Sequence, residues 1–235
     1  MIRNLIFYIC FAPVSIFYAA VAAASTNFAT WAGRGWSRTV IRLAGVVGVK
    51  VDVDLSALDP DTRYVFIANH QSQLDIPLLN AILEKRRVGF LAKESLFRIP
   101  LWGRAMTSAG HIGVNRSNPR LAMKSLDEAA RKARAGAEVI VFAEGTRQVN
   151  LETLGEFKVG GMILALKTGM AVAPLVLNGT GDALPKHKAL LRPAQVRVRA
   201  LPPIPGGSYT LKQREQFKDD LFAMMNAAYL EARNG

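Results

Sequence analysis

A single cysteine, Cys10, in 235 residues excludes an intramolecular disulfide and any cysteine-built metal cluster. That usage fits a reducing compartment. Histidine is scarce too. His70, His111 and His187 are the only side chains whose ordinary titration falls near neutral pH. Neither a His-Glu-x-x-His pair nor a Gly-x-Ser-x-Gly elbow occurs, so the common zinc and serine-nucleophile designs are absent, as is a Gly-rich phosphate loop. Aromatic residues make up only 8% and are scattered, so no basic stripe with interleaved stacking residues marks a nucleic-acid surface. Acidic residues number 18 against 30 Lys and Arg, a net charge of +12. An anionic partner follows: an acidic lipid surface or a phosphorylated substrate, with no nucleic acid.

Charge is also missing locally. Residues 4–33 carry none, and 5–24 are almost wholly apolar. At ~1.5 Å per residue, twenty helical residues span about 30 Å, the hydrocarbon thickness of a bilayer. Pro13 allows a kinked or re-entrant segment as well as a straight one. Arg3, the apolar stretch and Ala22-Ala23-Ala24-Ser25 also fit a cleaved secretory signal. The run is longer than such signals use, however. Phe28, Trp31 and Trp36 interleaved with Arg34, Arg38 and Arg42 then read as an interfacial helix. A retained anchor with its body on the cytoplasmic side is the reading adopted.

What remains is one α/β domain's worth of chain. Residues 1–48 form the N-terminal membrane-anchoring helical module and 49–235 the α/β domain. Residues 49–55 alternate apolar and charged, a half-exposed strand. Strands are expected at 63–68, 88–92, 110–114, 137–143, 171–177 and 195–201, and helices at 76–84, 119–135, 158–169 and 211–232. Residues 139–143 and 172–177 are continuous apolar runs, as in a largely parallel or mixed central sheet flanked by helices. Pro174 should make its strand an edge strand or a bulged one.

Asn69-His70-Gln71-Ser72-Gln73-Leu74-Asp75 follows the first buried strand. It places an imidazole and a carboxylate five residues apart, the minimum for drawing a proton from an alcohol at neutral pH. Ser72-x-x-Asp75 equally fits a helix capping box, with His70 as plain polar loop. In a regular helix side chains five apart diverge by roughly 140°. His70 meets Asp75 only if the backbone between them is not helical. Pro77 supports a helix beginning at Asp75, since proline is tolerated in the first turn.

Two more strand ends carry cations. Glu144-Gly145-Thr146-Arg147 joins a turn with exposed backbone N–H groups to a guanidinium, a combination that suits phosphate; an ordinary turn with a solvated Arg is the alternative. Gly110 to Arg116 ends a third strand. Ligands of open α/β sheets collect outside the carboxyl ends of strands. His111, within a strand, is expected to be packed or surface-bound, and His187, between two lysines, solvated.

Taken in order, these segments resemble the 1-acylglycerol-3-phosphate (lysophosphatidic acid) acyltransferase family, bacterial type. Asn69-His70-x-x-x-x-Asp75 is similar to its first motif, Gly110–Arg116 to its second, Glu144–Arg147 to its third and the Pro174 strand to its fourth. Leu91-Ala92-Lys93-Glu94-Ser95-Leu96 and Phe157-Lys158-x-Gly160 resemble stretches between them. Gly113 and Ala171 depart from the pattern, standing where the family has a bulky apolar residue and a proline. The resemblance implies transfer of an acyl group from acyl-CoA or acyl-carrier protein to the sn-2 hydroxyl of lysophosphatidic acid, at the cytoplasmic membrane. In that scheme His70 is the base and Asp75 orients it. Arg147 and Arg116, with the Gly145-Thr146 backbone, hold the phosphate, Lys93 adds affinity, and Glu144 orients the turn or a substrate hydroxyl. No metal and no cofactor beyond the thioester co-substrate are implied, and anionic membrane lipids are the expected surroundings. Acylation of another lysolipid or of glycerol 3-phosphate is the rival within that chemistry. A basic membrane-binding protein without turnover is the rival outside it.

Overall fold

In the computed structural model, residues 1–115 and 118–234 are described. Helix α1 (Ile2–Ala24) runs unbroken through Pro13, and α2 (Thr26–Val47) turns back against it. Ser25 caps α2, its Oγ accepting the Asn27 N–H at 3.3 Å. Gly48 ends the helix at φ +110°, where a Cβ would come within 3.1 Å of Pro193.

Strand β1 (Val49–Asp54) follows, then β2 (Tyr64–Ala68), α3 (Asp75–Ile82) and β3 (Val88–Lys93). A 3₁₀ turn (Glu94–Arg98) leads to α4 (Trp102–Ser108), β4 (Ile112–Val114), α5 (Pro119–Arg134) and β5 (Glu138–Phe142). The chain ends with α6 (Gly160–Thr168), β6 (Ala171–Asn178), the short α7 (Thr180–Ala183), β7 (Ala194–Ala200) and α8 (Arg214–Asn234). The seven strands lie in the order β1-β7-β6-β2-β5-β3-β4. All neighbours are parallel except β6 and β7. The mixed, mostly parallel α/β sheet is therefore the one the apolar runs imply. The short helices at 102–108 and 180–183 had no periodicity long enough to reveal them.

Alternate residues of the central strands supply two cores. Phe66, Ile140, Leu175 and Leu177 face α2 and α3, meeting Val40, Ala44, Leu78 and Leu79. Val65, Ile67, Val141 and Val176 face α5, α6 and α8, meeting Ala129, Leu164, Leu221 and Tyr229. Each fully buried Leu or Phe contributes roughly 1.5–3 kcal/mol by leaving water. A third cluster is built from small side chains: Ala19, Ala22, Ala29, Ala32 and Ala105 let α1, α2 and α4 approach closely. Phe7 of α1 belongs to the first core, so the N-terminal helices share a core with the sheet.

One open alternative is resolved and one expectation is corrected. Strand β6, carrying Pro174, is no edge strand; it lies between β2 and β7. The proline is accommodated because the chain opposite it is bulged. Leu175 pairs with Ala200, yet Val172 faces Ile204, one residue further than regular register gives. Trp36 is not interfacial: its Nε1 donates to Ser15 Oγ at 3.0 Å and its ring meets Trp102 edge-on. Phe28 and Trp31 do face outward, 60% and 51% exposed.

Candidate active site

The sheet order puts β2 between β6 and β5, so the chain leaving β2 emerges at the centre of the carboxyl edge. Asn69, fully buried, finishes the strand with its side chain. Its Oδ1 accepts the Leu177 N–H at 2.7 Å and its Nδ2 donates to the Leu177 carbonyl at 2.9 Å. The amide thus imitates one more rung of the β2–β6 ladder, and the backbone is free to turn.

Residues 70–74 are not helical, and His70 reaches Asp75 across that turn. Its Nδ1 lies 2.8 Å from Asp75 Oδ2. The same oxygen accepts the N–H of Gln71 at 2.7 Å and of Ser72 at 2.9 Å. Only half of a capping box forms, because Ser72 Oγ accepts the Leu74 N–H at 3.2 Å and not that of Asp75; one carboxylate oxygen holds the imidazole and both backbone N–H groups. The helix starts at Asp75, with Pro77 in its first turn. Asp75 Oδ1 is buried without a hydrogen-bond partner among the described residues. A carboxylate only accepts, so Nδ1 carries the proton and the Nε2 lone pair is left for a substrate. The His70 ring is stacked on Phe142, centroids 3.9 Å apart and planes 12° from parallel, which fixes its orientation.

Glu144 holds this loop from β5. Its Oε2 accepts the His70 N–H at 2.6 Å and its Oε1 the Gly155 N–H at 2.8 Å. Burial raises its pKa to about 7, against the lowering effect of those two N–H groups; the nearby Asp75 charge adds to the rise. Gly145, at φ +68°, makes the turn, and its N–H is used by the Phe142 carbonyl at 3.0 Å. That N–H is engaged within the turn, which removes the Gly145 donor from the expected phosphate cradle. Thr146 is exposed and Arg147 half-buried, the latter without an ion pair among the described residues. The Gln148 N–H returns to the His70 carbonyl at 2.9 Å, tying the turn to the dyad loop. Lys93 is exposed at the end of β3. Arg116 lies outside the described residues.

An apolar cavity of about 380 Å³ opens beside the dyad, between α1, α2, α3 and α4. Phe11, Trp36, Leu74, Phe90 and Ala105 are among its walls. Leu74 and Ile76, on either side of Asp75, both line it, and Phe90 stacks on Phe142, the ring under His70. His111 lines it as a packed neutral ring. Its Nδ1 accepts the Phe90 N–H at 3.1 Å, and burial, aided by the charge of Lys132, lowers its pKa to about 4. His187 is exposed, as expected of a residue between lysines.

Sequence reasoning missed four contributors: the rung made by Asn69, the ring of Phe142, the side chain of Gln71 and Tyr229. Gln71 Nε2 donates to the Tyr229 hydroxyl at 2.8 Å. These residues are 158 positions apart, and no local pattern links them.

A His–Asp pair at the carboxyl edge of a mostly parallel sheet, near an apolar cavity, is an arrangement that can draw a proton from a hydroxyl. Residues 50–178, more than half of the chain, match the Acyltransferase family. The chain belongs to that family. It is 40% identical over 148 residues to a 1-acyl-sn-glycerol-3-phosphate acyltransferase of Chlamydomonas reinhardtii, covering 61% of this chain and 44% of that one. The corresponding figures for the Pseudomonas aeruginosa protein of that name are 32% over 170 residues, covering 70% and 63%. The chain thus spans about half the length of the curated relatives it matches. A crystal structure of the 1-acyl-sn-glycerophosphate (LPA) acyltransferase of Thermotoga maritima has the same fold, with a TM-score of 0.77, 24% identity and coverage of 99% and 97%.

Proposed function

We propose that the protein transfers a fatty acyl group from a thioester, acyl-CoA or acyl-carrier protein, to the sn-2 hydroxyl of 1-acylglycerol 3-phosphate, giving phosphatidic acid. The observation that carries this reading is the 2.8 Å contact of His70 Nδ1 with Asp75 Oδ2, which leaves Nε2 as the base. His70 Nε2 takes the hydroxyl proton and the oxygen attacks the thioester carbonyl. The tetrahedral intermediate collapses, breaks the C–S bond and expels a thiolate, which takes the proton back from Nε2. General-base assistance of this kind is worth ~10²–10⁴-fold. Arg147 holds the acceptor phosphate and so places the hydroxyl, with Arg116 and Lys93 as further cations. The apolar cavity receives an acyl chain. No resident cofactor or metal takes part in this scheme.

Residues 1–48 attach the protein to anionic membrane, with the α/β domain on the cytoplasmic face. Helix α1 has 23 residues and is long and apolar enough to cross a bilayer. Attachment spares a lipid acceptor and a lipid product from extraction into water. The test is thiol release by purified protein from an acyl thioester, with 1-acylglycerol 3-phosphate and with the same lysolipid lacking its phosphate as acceptors. Release that requires the phosphate supports the reading; equal release with both overturns the acceptor assignment.

A further inference from the structure

The dyad loop and the Arg147 loop meet on a helix that lies outside the segment matched to the family. Tyr229, fully buried on α8, accepts from Gln71 Nε2 at 2.8 Å and donates to the Leu151 carbonyl at 2.5 Å. Gln71 is the residue after His70, and its own N–H fixes Asp75 Oδ2. Its Oε1 is taken up by Thr180 Oγ1 at 3.2 Å and the Gly181 N–H at 3.4 Å, which sets the amide so that Nε2 points to Tyr229. Leu151 lies in the loop that begins at Glu144 and carries Arg147. Asn226, three residues before Tyr229 and so on the same helix face, accepts from Thr153 Oγ1 at 2.8 Å and the Leu154 N–H at 3.1 Å. The other buried residues of α8, Phe217, Leu221 and Met225, are apolar. A phenol hydroxyl in such a core costs free energy unless it is used, and here one oxygen both accepts and donates.

We propose that Tyr229 is a positioning residue: its hydroxyl clasps the loop that orients His70 and the loop that carries Arg147, holding base and phosphate ligand in one register. The kinetic part of this proposal rests on the acyl-transfer reading. The structural part does not.

Three variants separate the clasp from ordinary core stability. Tyr229→Phe removes only the oxygen. Met225→Ala opens a cavity in the same helix and leaves both hydrogen bonds of Tyr229 in place. Asn226→Ala releases the Arg147 loop alone. Hydrogen exchange followed by mass spectrometry on peptides covering 69–75 and 146–155 gives the first readout. In Tyr229→Phe both segments should exchange at least tenfold faster, with 138–142 unchanged. Asn226→Ala should loosen 146–155 alone. Met225→Ala should lower the melting temperature but leave both loops at their native rates. In the thioester assay, Tyr229→Phe should lose tenfold or more in kcat/KM for acceptor, mostly through KM, while Met225→Ala keeps the value of the wild type. Unchanged exchange in Tyr229→Phe, or equal loosening by Tyr229→Phe and Met225→Ala, overturns the clasp. Loosened loops in a protein whose wild type transfers no acyl group would uphold the clasp and count against the acyl-transfer reading alone.

Discussion

Glu144 grips the backbone of His70 and not its ring: Oε2 accepts the His70 N–H at 2.6 Å while Oε1 accepts the Gly155 N–H. The carboxyl group is thereby a staple between the loop that carries the base and the segment that follows the Arg147 turn. It is too committed to serve as the catalytic acid, and its burial has a consequence for stability.

That consequence is pH dependence. The folded pKa of Glu144 is raised to about 7, above the ~4.3 of an unfolded Glu. The favourable contribution is therefore complete below pH ~4.3 and is lost as pH rises through about 7. Urea unfolding at pH 5 and pH 7.5 should show wild type losing up to roughly 3 kcal/mol over that interval from this group. Glu144→Gln, with nothing to ionise, should lack that slope while being less stable at pH 5, because its amide nitrogen cannot accept an N–H. An identical slope in both proteins contradicts the assignment.

Asp75→Asn keeps the size of the side chain and removes the charge that fixes His70 with its proton on Nδ1. We expect kcat to fall by about 10²–10⁴-fold, with a much smaller change in KM for acceptor. Steady-state kinetics across acceptor concentration decides this. A kcat within a few-fold of wild type would show that His70 does not need the carboxylate.

Arg147→Ala should act on binding. Loss of a charge-assisted contact to phosphate is worth about 2 kcal/mol, or roughly thirtyfold in acceptor KM. Whatever residual activity a lysolipid without phosphate supports should be unmoved. If the KM for thioester rises instead, Arg147 belongs to the donor.

Phe28 and Trp31 stand exposed on α2, near Arg34 and Arg38 in sequence. Replacing both aromatics with serine should lower partition into vesicles containing anionic lipid, and the remaining binding should weaken further with salt. Cosedimentation with vesicles measures it. Unchanged partition would place attachment on α1 alone.

Most of this architecture was legible because it rests on short-range pattern. Apolar runs such as 139–143 announced buried parallel strands, and the helix expected at 119–135 is α5, where Asn118 Oδ1 caps the Leu121 N–H. His70 and Asp75 were legible because the chain brings them together within one turn. Pro174 was half legible: the local rule left an edge strand or a bulge open, and what decides for the bulge lies 30 residues away, at Ile204. Gly145 was legible as a turn, but where its N–H points is set by the Phe142 carbonyl. Gln71 and Tyr229 were illegible for a deeper reason. Their meeting depends on how α8 packs on the sheet, and nothing in either neighbourhood records it.

The central claim is that His70 Nε2 removes the acceptor proton. Purified His70→Ala, with a melting temperature and circular dichroism spectrum like those of wild type, should lose at least 10²-fold in acyl transfer to 1-acylglycerol 3-phosphate across pH 6–9. Turnover by folded His70→Ala near the rate of the wild type would contradict the account.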